Sequence, residues 1–246
     1  MKNEKRGLII LLLTGILSLG GIFYLDPIVQ DESYHLFSDE YSYFGIPNFW
    51  NVLSNFPFLI VALLGLKNPV FPLDQKKMYG LFFIGIGLVS LGSGYYHLYP
   101  NSHTLVWDRL PMTITFMALF SIIISEFISR HWGKLLFLPL IIVGILSVAY
   151  WKLSATGDLR FYGLIQFYPM IAIPVILTYF KSSYNRSSAY WYLLLAYLLA
   201  KLCEHFDSEI HETLIHISGH SLKHICAALG LYVLVDSYKK RVVISD

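Results

Sequence analysis

Apolar runs separated by short polar connections fill the chain from end to end. Eight runs stand out, near residues 7–24, 48–66, 78–99, 110–129, 134–151, 162–180, 188–204 and 216–236. Each approaches the roughly 20 mostly apolar residues that a membrane-spanning helix needs. None alternates with the period of two that a barrel strand requires. Lipid admits only helices or closed barrels, so the pattern predicts an all-α, polytopic membrane bundle. Four divisions are expected. Residues 1–24 form an N-terminal transmembrane helix and 25–47 an extracytoplasmic loop. Residues 48–236 form the helical core and 237–246 a basic cytoplasmic tail. The first run, "GLIILLLTGILSLGGIFY" after "MKNEKR", also has features of a secretory signal. Its length and the lack of a clear A-x-A site favour a retained helix.

Composition agrees with the pattern. Charged residues make up 14% and hydrophobic ones 56%, with a mean hydropathy of +0.57. A soluble domain averages about 25% charged residues. The net charge of +2 comes without an Arg/Lys-rich patch, which argues against a nucleic-acid partner. Cys203 and Cys226 lie in apolar runs and read as small buried hydrophobes. Basic residues fix an orientation. Lys2, Lys5, Arg6, Lys67, Lys76, Lys77, Arg130, Lys134, Lys181, Arg186, Lys239, Lys240 and Arg241 all fall on one side if eight helices alternate. The first opposite connection carries Asp26, Asp31, Glu32, Asp39 and Glu40. Both termini are therefore expected in the cytoplasm.

On this map the polar residues inside the runs gather at one depth, toward the extracytoplasmic side. They are Asn51, Ser54 and Asn55 in the second run, Ser93 and His97 in the third, and Asp108 at the entry to the fourth. Lys201 and Glu204 end the seventh, and His220 and His224 lie one and two turns into the eighth. Intramembrane ionisable residues normally face the bundle interior or a wet cavity. His220 and His224, four apart, share a helix face, and so do Ser93 and His97. Two imidazoles at that spacing can bind one metal, and His97 can supply a third nitrogen. Three ligands with an open fourth position describe a catalytic zinc. Asp108 is then placed to move protons and Ser93 to hydrogen-bond an oxyanion. The competing reading of each histidine is an interhelical hydrogen bond. His216 reads as a rim residue, and Lys223 as a partner of a lipid phosphate or of Glu204. Asn51 and Asn55 are expected to bind neighbouring helices. Asp207, Glu209 and Glu212 are expected in a solvated loop.

Three ordered blocks carry a resemblance. They are "GIPNFWNVLSNFPFLIVALLGL", "GSGYYHLYPNSHTLVWDRLPMTITFMALF" and "SGHSLKHICAALGLY", which span Gly45 to Tyr232. The second has S-x3-H with Asp eleven residues after the histidine; the third has H-x3-H. Together they resemble the alkaline ceramidase family, within the CREST group of integral-membrane hydrolases. The resemblance implies a seven-helix core, so that the first helix is an addition. It implies an amide hydrolase with zinc on His97, His220 and His224, and with Ser93 and Asp108 in the catalytic centre. It implies a membrane lipid as partner, ceramide or another N-acyl lipid, cut to a fatty acid and an amine. Eukaryotic members carry an acidic calcium cluster before the first core helix. Here Asn48 stands just before "FWN" where an acid would be expected, which leaves calcium open, with Asp39 as a possible contributor. "WDRLPMT" and "GIPNFWNVLSN" are closer to the bacterial branch, for which a cytoplasmic-membrane location is expected. Two other classes compete: a metal-containing receptor of the adiponectin-receptor type, and a proton-relaying transporter. Ser93 and Asp108 beside an open metal position favour hydrolysis.

Overall fold

The computed structural model describes residues 2–67 and 71–244; Met1, residues 68–70 and the last two residues of the basic tail lie outside the described residues. It is all-α, with isolated bridges and no strand among the described residues. The helices are α1 Lys2–Tyr24, α2 Phe49–Leu53, α3 Phe56–Leu66, α4 Lys76–Leu98, α5 Leu105–Ile123, α6 Arg130–Leu153, α7 Arg160–Tyr179, α8 Ala189–His205, α9 Asp207–Leu214 and α10 Gly219–Lys240. Six spans among the described residues are long and apolar enough to cross a membrane: α1, the α2–α3 pair, and α4 to α7. The two remaining expected spans do not reach that measure. α8 has only 17 residues. α10 has 22, but His220, Lys223, His224, Asp236, Lys239 and Lys240 dilute its apolar stretch.

The second apolar run is not one continuous helix, because it breaks at Ser54 and Asn55. The segment around Asp207 is the helix α9 rather than a loop. The eighth run enters its helix at Gly219, three residues later than its hydrophobicity implies. Ser218 is the N-cap, and its Oγ accepts the N–H of Ser221 at 3.1 Å. Cys203 and Cys226 are both free and only half-buried.

α5 is the central post. It packs between α4 and α6 and also meets α7, and most of its residues are buried. Leu12 and Leu17 of α1, Leu138 and Leu146 of α6, and Leu195 and Leu198 of α8 are exposed, the side chains that a lipid phase would solvate. α5 closes in a π turn, Ile124–Ile128, which sets the buried Glu126 at that end. α1 lies along α7, where Tyr168 donates from its hydroxyl to the Leu11 carbonyl at 3.1 Å.

Two glycines bring the site-bearing helices together. A Cβ on Gly92 would stand 1.9 Å from the Trp107 carbonyl oxygen, so α4 and α5 touch backbone to backbone. A Cβ on Gly219 would stand 2.1 Å from the Cys203 carbonyl oxygen, which seats the start of α10 against α8. Each glycine precedes a polar residue of the candidate site, Ser93 or His220.

Candidate metal centre

His97 lies in the last turn of α4, and His220 and His224 in the first two turns of α10. All three are buried, at 1%, 5% and 6% exposure, deep enough to exclude a solvated role. One nitrogen from each lies within 4.8 Å of the others. His97 Nε2 and His220 Nε2 are 3.3 Å apart. Two nitrogens bound at ~2.0–2.1 Å to one tetrahedral ion would be separated by ~3.3–3.4 Å. The donor set fits a divalent metal: three buried imidazoles converge, each offering one nitrogen. Among the described residues, this trio is the one group of three metal-ligating side chains drawn together in this way.

A polar scaffold holds the trio. Ser54 Oγ lies 2.8 Å from His224 Nδ1 and donates to the Asn51 carbonyl at 3.1 Å. Asn51 Oδ1 accepts from Ser221 at 2.8 Å and Ser218 at 3.2 Å, so this asparagine does join its helix to α10. Asn55 meets α4 through its backbone, its carbonyl accepting from the Ser90 hydroxyl at 2.7 Å, while its side chain donates to the Asn51 carbonyl at 2.8 Å. Asp207 accepts the backbone N–H of His220 at 2.6 Å and that of Ser38 at 3.1 Å. Phe37 roofs the trio, its ring 4.7 Å from that of His97 and 4.6 Å from that of His220. The loop of residues 25–47 therefore folds over the site. Asp39 is fully buried, and both of its oxygens are engaged by backbone N–H groups. Oδ2 takes Trp50 and Asn51, and Oδ1 takes Tyr41.

The other expected residues lie next door. Ser93 stands beside Asp108, and both line a cavity of about 430 Å³ with His224. That volume lies within the usual range for a small-molecule site. Its polar end also carries Arg109, Glu204 and Lys223, while Phe82, Ile86, Leu119, Ile123 and Leu231 line its apolar length. From Asp108 to Ile123 the cavity follows α5 for ~22 Å at 1.5 Å per residue. Lys223 Nζ does meet Glu204, at 2.6 Å, and Lys201 pairs with the same carboxylate. His216 is exposed at the rim, its ring 5.8 Å from that of Tyr41.

Sequence reasoning missed the roles of Phe37, Asp207 and Arg109. The Ser218 N-cap was a readable signal for the start of α10. The Asp207 contact had none, since it depends on how α9 turns back. A multi-helix membrane-type fold that gathers three histidines beside a largely apolar cavity defines the class. A family model described as Ceramidase matches residues 41–240. The chain belongs to the Ceramidase family, and that membership supports a ceramidase-like hydrolase in a multi-pass membrane protein. Comparison with curated proteins and with solved structures gave no match.

Proposed function

We propose that the protein is a zinc-dependent lipid amide hydrolase that cuts an N-acyl lipid, ceramide or a relative, into a fatty acid and an amine. The observation that carries this reading is the buried histidine trio opening, through His224, onto the cavity that Ser93 and Asp108 line. His97, His220 and His224 would hold the ion. Zinc, when bound, supplies Lewis acidity and a water that ionises near neutral pH. Asp108 accepts a proton from the attacking water and returns it to the leaving nitrogen, as general base and then general acid. Ser93 donates a hydrogen bond to the oxygen on which charge develops. The apolar length of the cavity takes the acyl chain and keeps bulk water from it.

In this reading α8 and α10 complete a seven-helix catalytic core within residues 48–236, and α1 is an addition to it. Residues 25–47 are the extracytoplasmic loop and 237–246 the cytoplasmic tail. The basic ends face the cytoplasm of a bacterial cell, and the trio faces the opposite side. The test pairs metal analysis with a screen of N-acyl lipids on the purified chain. One equivalent of zinc, lost together with turnover in His97→Ala, His220→Ala and His224→Ala, is expected. Asp108→Asn is expected to retain zinc and lose turnover. A folded, active protein without metal would overturn the reading.

A further inference from the structure

Two helices turn regular stripes of side chains toward the cavity. On α10 its lining includes Lys223, Ala227 and Leu231, four positions apart. On α8 it includes Tyr190, Leu194, Tyr197, Lys201 and Glu204, three or four apart. Residues at these spacings share one helix face. Lys223 is the first cavity-lining residue of α10 and Glu204 the last of α8. They meet at the polar end, where Lys223 Nζ donates to Glu204 Oε1 at 2.6 Å. Both act electrostatically on Asp108.

The pair is not closed off. Side-chain exposure is 17% for Lys223 and 21% for Glu204, and the stripes turn that open surface to the cavity. An ion pair withdrawn from water is favourable only when further hydrogen bonds meet its remaining protons and lone pairs. An ammonium has three N–H donors. Among the described residues, Lys223 uses one of them, on Glu204. Glu204 accepts from Lys223 on Oε1 and from Lys201 on Oε2, and a carboxylate can accept more than two bonds. Arg109, the other cation enclosed here, is already engaged. Its Nη2 donates to Gln30 Oε1 at 2.6 Å, and the rings of Trp151 and Tyr162 lie 4.4 and 4.7 Å from its central carbon. Lys223 and Glu204 thus offer a donor and an acceptor side by side.

We propose that Lys223 and Glu204 set the specificity on the amine side of the substrate by binding its hydroxyl groups. The ammonium donates to a hydroxyl oxygen, and the carboxylate accepts a hydroxyl proton. This rests on the amide-hydrolase reading and assigns the two residues that recognise the head group. With the acyl chain along the apolar length and the scissile nitrogen at Asp108, the substituents of the amine lie at the end where the pair stands. A hydroxyl both donates and accepts, so one small neutral group answers both members. A site built in this way also rejects an amine without hydroxyls, because its own polar groups are then left unpaired.

The test uses the full-length protein in detergent and two oleoyl amides of one shape. The amine is 2-amino-1,3-propanediol in one and 3-aminopentane in the other, so a methyl group replaces each hydroxyl. Binding is read by tryptophan fluorescence and turnover by release of oleate, as kcat/KM. The wild type is expected to favour the diol amide about tenfold or more, the effect of a hydrogen bond to a charged group. Removing one member alone would strand an enclosed charge, so both are replaced together, Lys223→Met with Glu204→Met. The double variant, its folding checked by thermal unfolding, is expected to bring the ratio close to unity. Lys223→Arg, which keeps the charge and the donors, is expected to retain most of the preference. Equal affinity of the wild type for the two amides overturns the proposal. So does a folded double variant with the wild-type ratio, whether or not both activities fall. Selective binding of the diol amide with oleate released from neither would refute the hydrolase reading and leave the head-group pair standing. Release of oleate from both amides at one kcat/KM would do the reverse.

Discussion

Ser54 Oγ stands between His224 and Asn51, 2.8 Å from Nδ1 of His224 and 3.1 Å from the Asn51 carbonyl. With Nδ1 engaged by this hydroxyl, Nε2 is the nitrogen of His224 left for the proposed metal. Groups that orient a ligating histidine in this way typically contribute 10–100-fold in metal affinity. Ser54→Ala is expected to weaken zinc binding by about that range, while Ser54→Thr keeps the hydroxyl and most of the affinity. Competition with a chromophoric chelator measures both.

The asymmetry between what was legible and what was not follows from the range over which each signal acts. The histidine pair on α10 is local: a spacing of four on a helix places both rings on one face whatever the rest of the chain does. His97 was legible because the alternation of spans puts it at the same depth, even though it lies 123 residues from His220. Asp207 and Phe37 were not legible. Their contacts arise from a short helix and a loop that fold back, and no periodicity encodes that. Arg109 was hidden because a charge at a helix start reads as interfacial until aromatic rings are seen around it. The count of spans rested on hydropathy alone; α8 falls short in length, and the polar residues of α10 dilute its apolar stretch.

Gly92 allows α4 and α5 to approach closely enough for Ser93 to stand beside Asp108. A methyl group there would meet the Trp107 carbonyl at 1.9 Å, and backbone cannot swing aside as a side chain does. Gly92→Ala is expected to lower stability by at least the ~1–3 kcal/mol of ordinary overpacking, and to reduce turnover more than zinc content. Thermal unfolding in detergent, beside metal analysis, separates the two effects. Gly94→Ala, where nothing lies within 4 Å of the added Cβ, is the matched control.

Asp158 ties the α6–α7 turn to the chain that follows α1. Burial pushes its carboxyl up, but hydrogen bonds from the Arg160 side chain and from the backbone N–H groups of Arg160 and Ile28 outweigh this and hold it below the usual range. Arg160 Nη1 in turn donates to the Ile22 carbonyl at 2.9 Å. A carboxyl depressed on folding stabilises fully above its unfolded value of ~3.9 and loses that contribution as pH falls through its folded value. Wild-type stability is expected to decline across that acid window. Asp158→Asn should be less stable at neutral pH and should show a shallower decline. Unfolding temperatures measured from pH 7 down to 3 test the difference in slope.

Glu126 and Arg241 form a buried ion pair at the far end of α5 from the trio, with side-chain exposures of 1% and 3%. Tyr190 donates to Glu126 Oε2 at 2.9 Å, and Arg241 Nη2 donates to the Tyr79 hydroxyl at 2.8 Å. The pair thus pins the segment after α10 against the end of α5. Removing one partner strands a buried charge, which costs ~3–5 kcal/mol, whereas replacing both with well-packed neutral groups is far milder. Arg241→Met is therefore expected to destabilise strongly, and Glu126→Gln in the same chain to restore much of the loss. A double-mutant cycle in detergent reads the coupling. Simple additivity of the two effects would show that the pair is not coupled.

The proposed orientation rests on the basic connections, and α5 offers the shortest path to test it. His103 precedes this helix, His131 follows its π turn, and both are exposed. One crossing must put them on opposite sides of the membrane. Arg130 and Lys134 flank His131, whereas His103 lies in "YPNSHT", which carries no lysine or arginine. Basic residues are retained on the cytoplasmic side. In a chain with Cys203 and Cys226 replaced by serine, His103→Cys is expected to react with an impermeant maleimide on intact cells. His131→Cys is expected to react only after the cells are opened. The reverse pattern would turn the bundle over and place the histidine trio near the cytoplasmic face. Labelling of both positions from outside would mean that α5 does not cross the membrane.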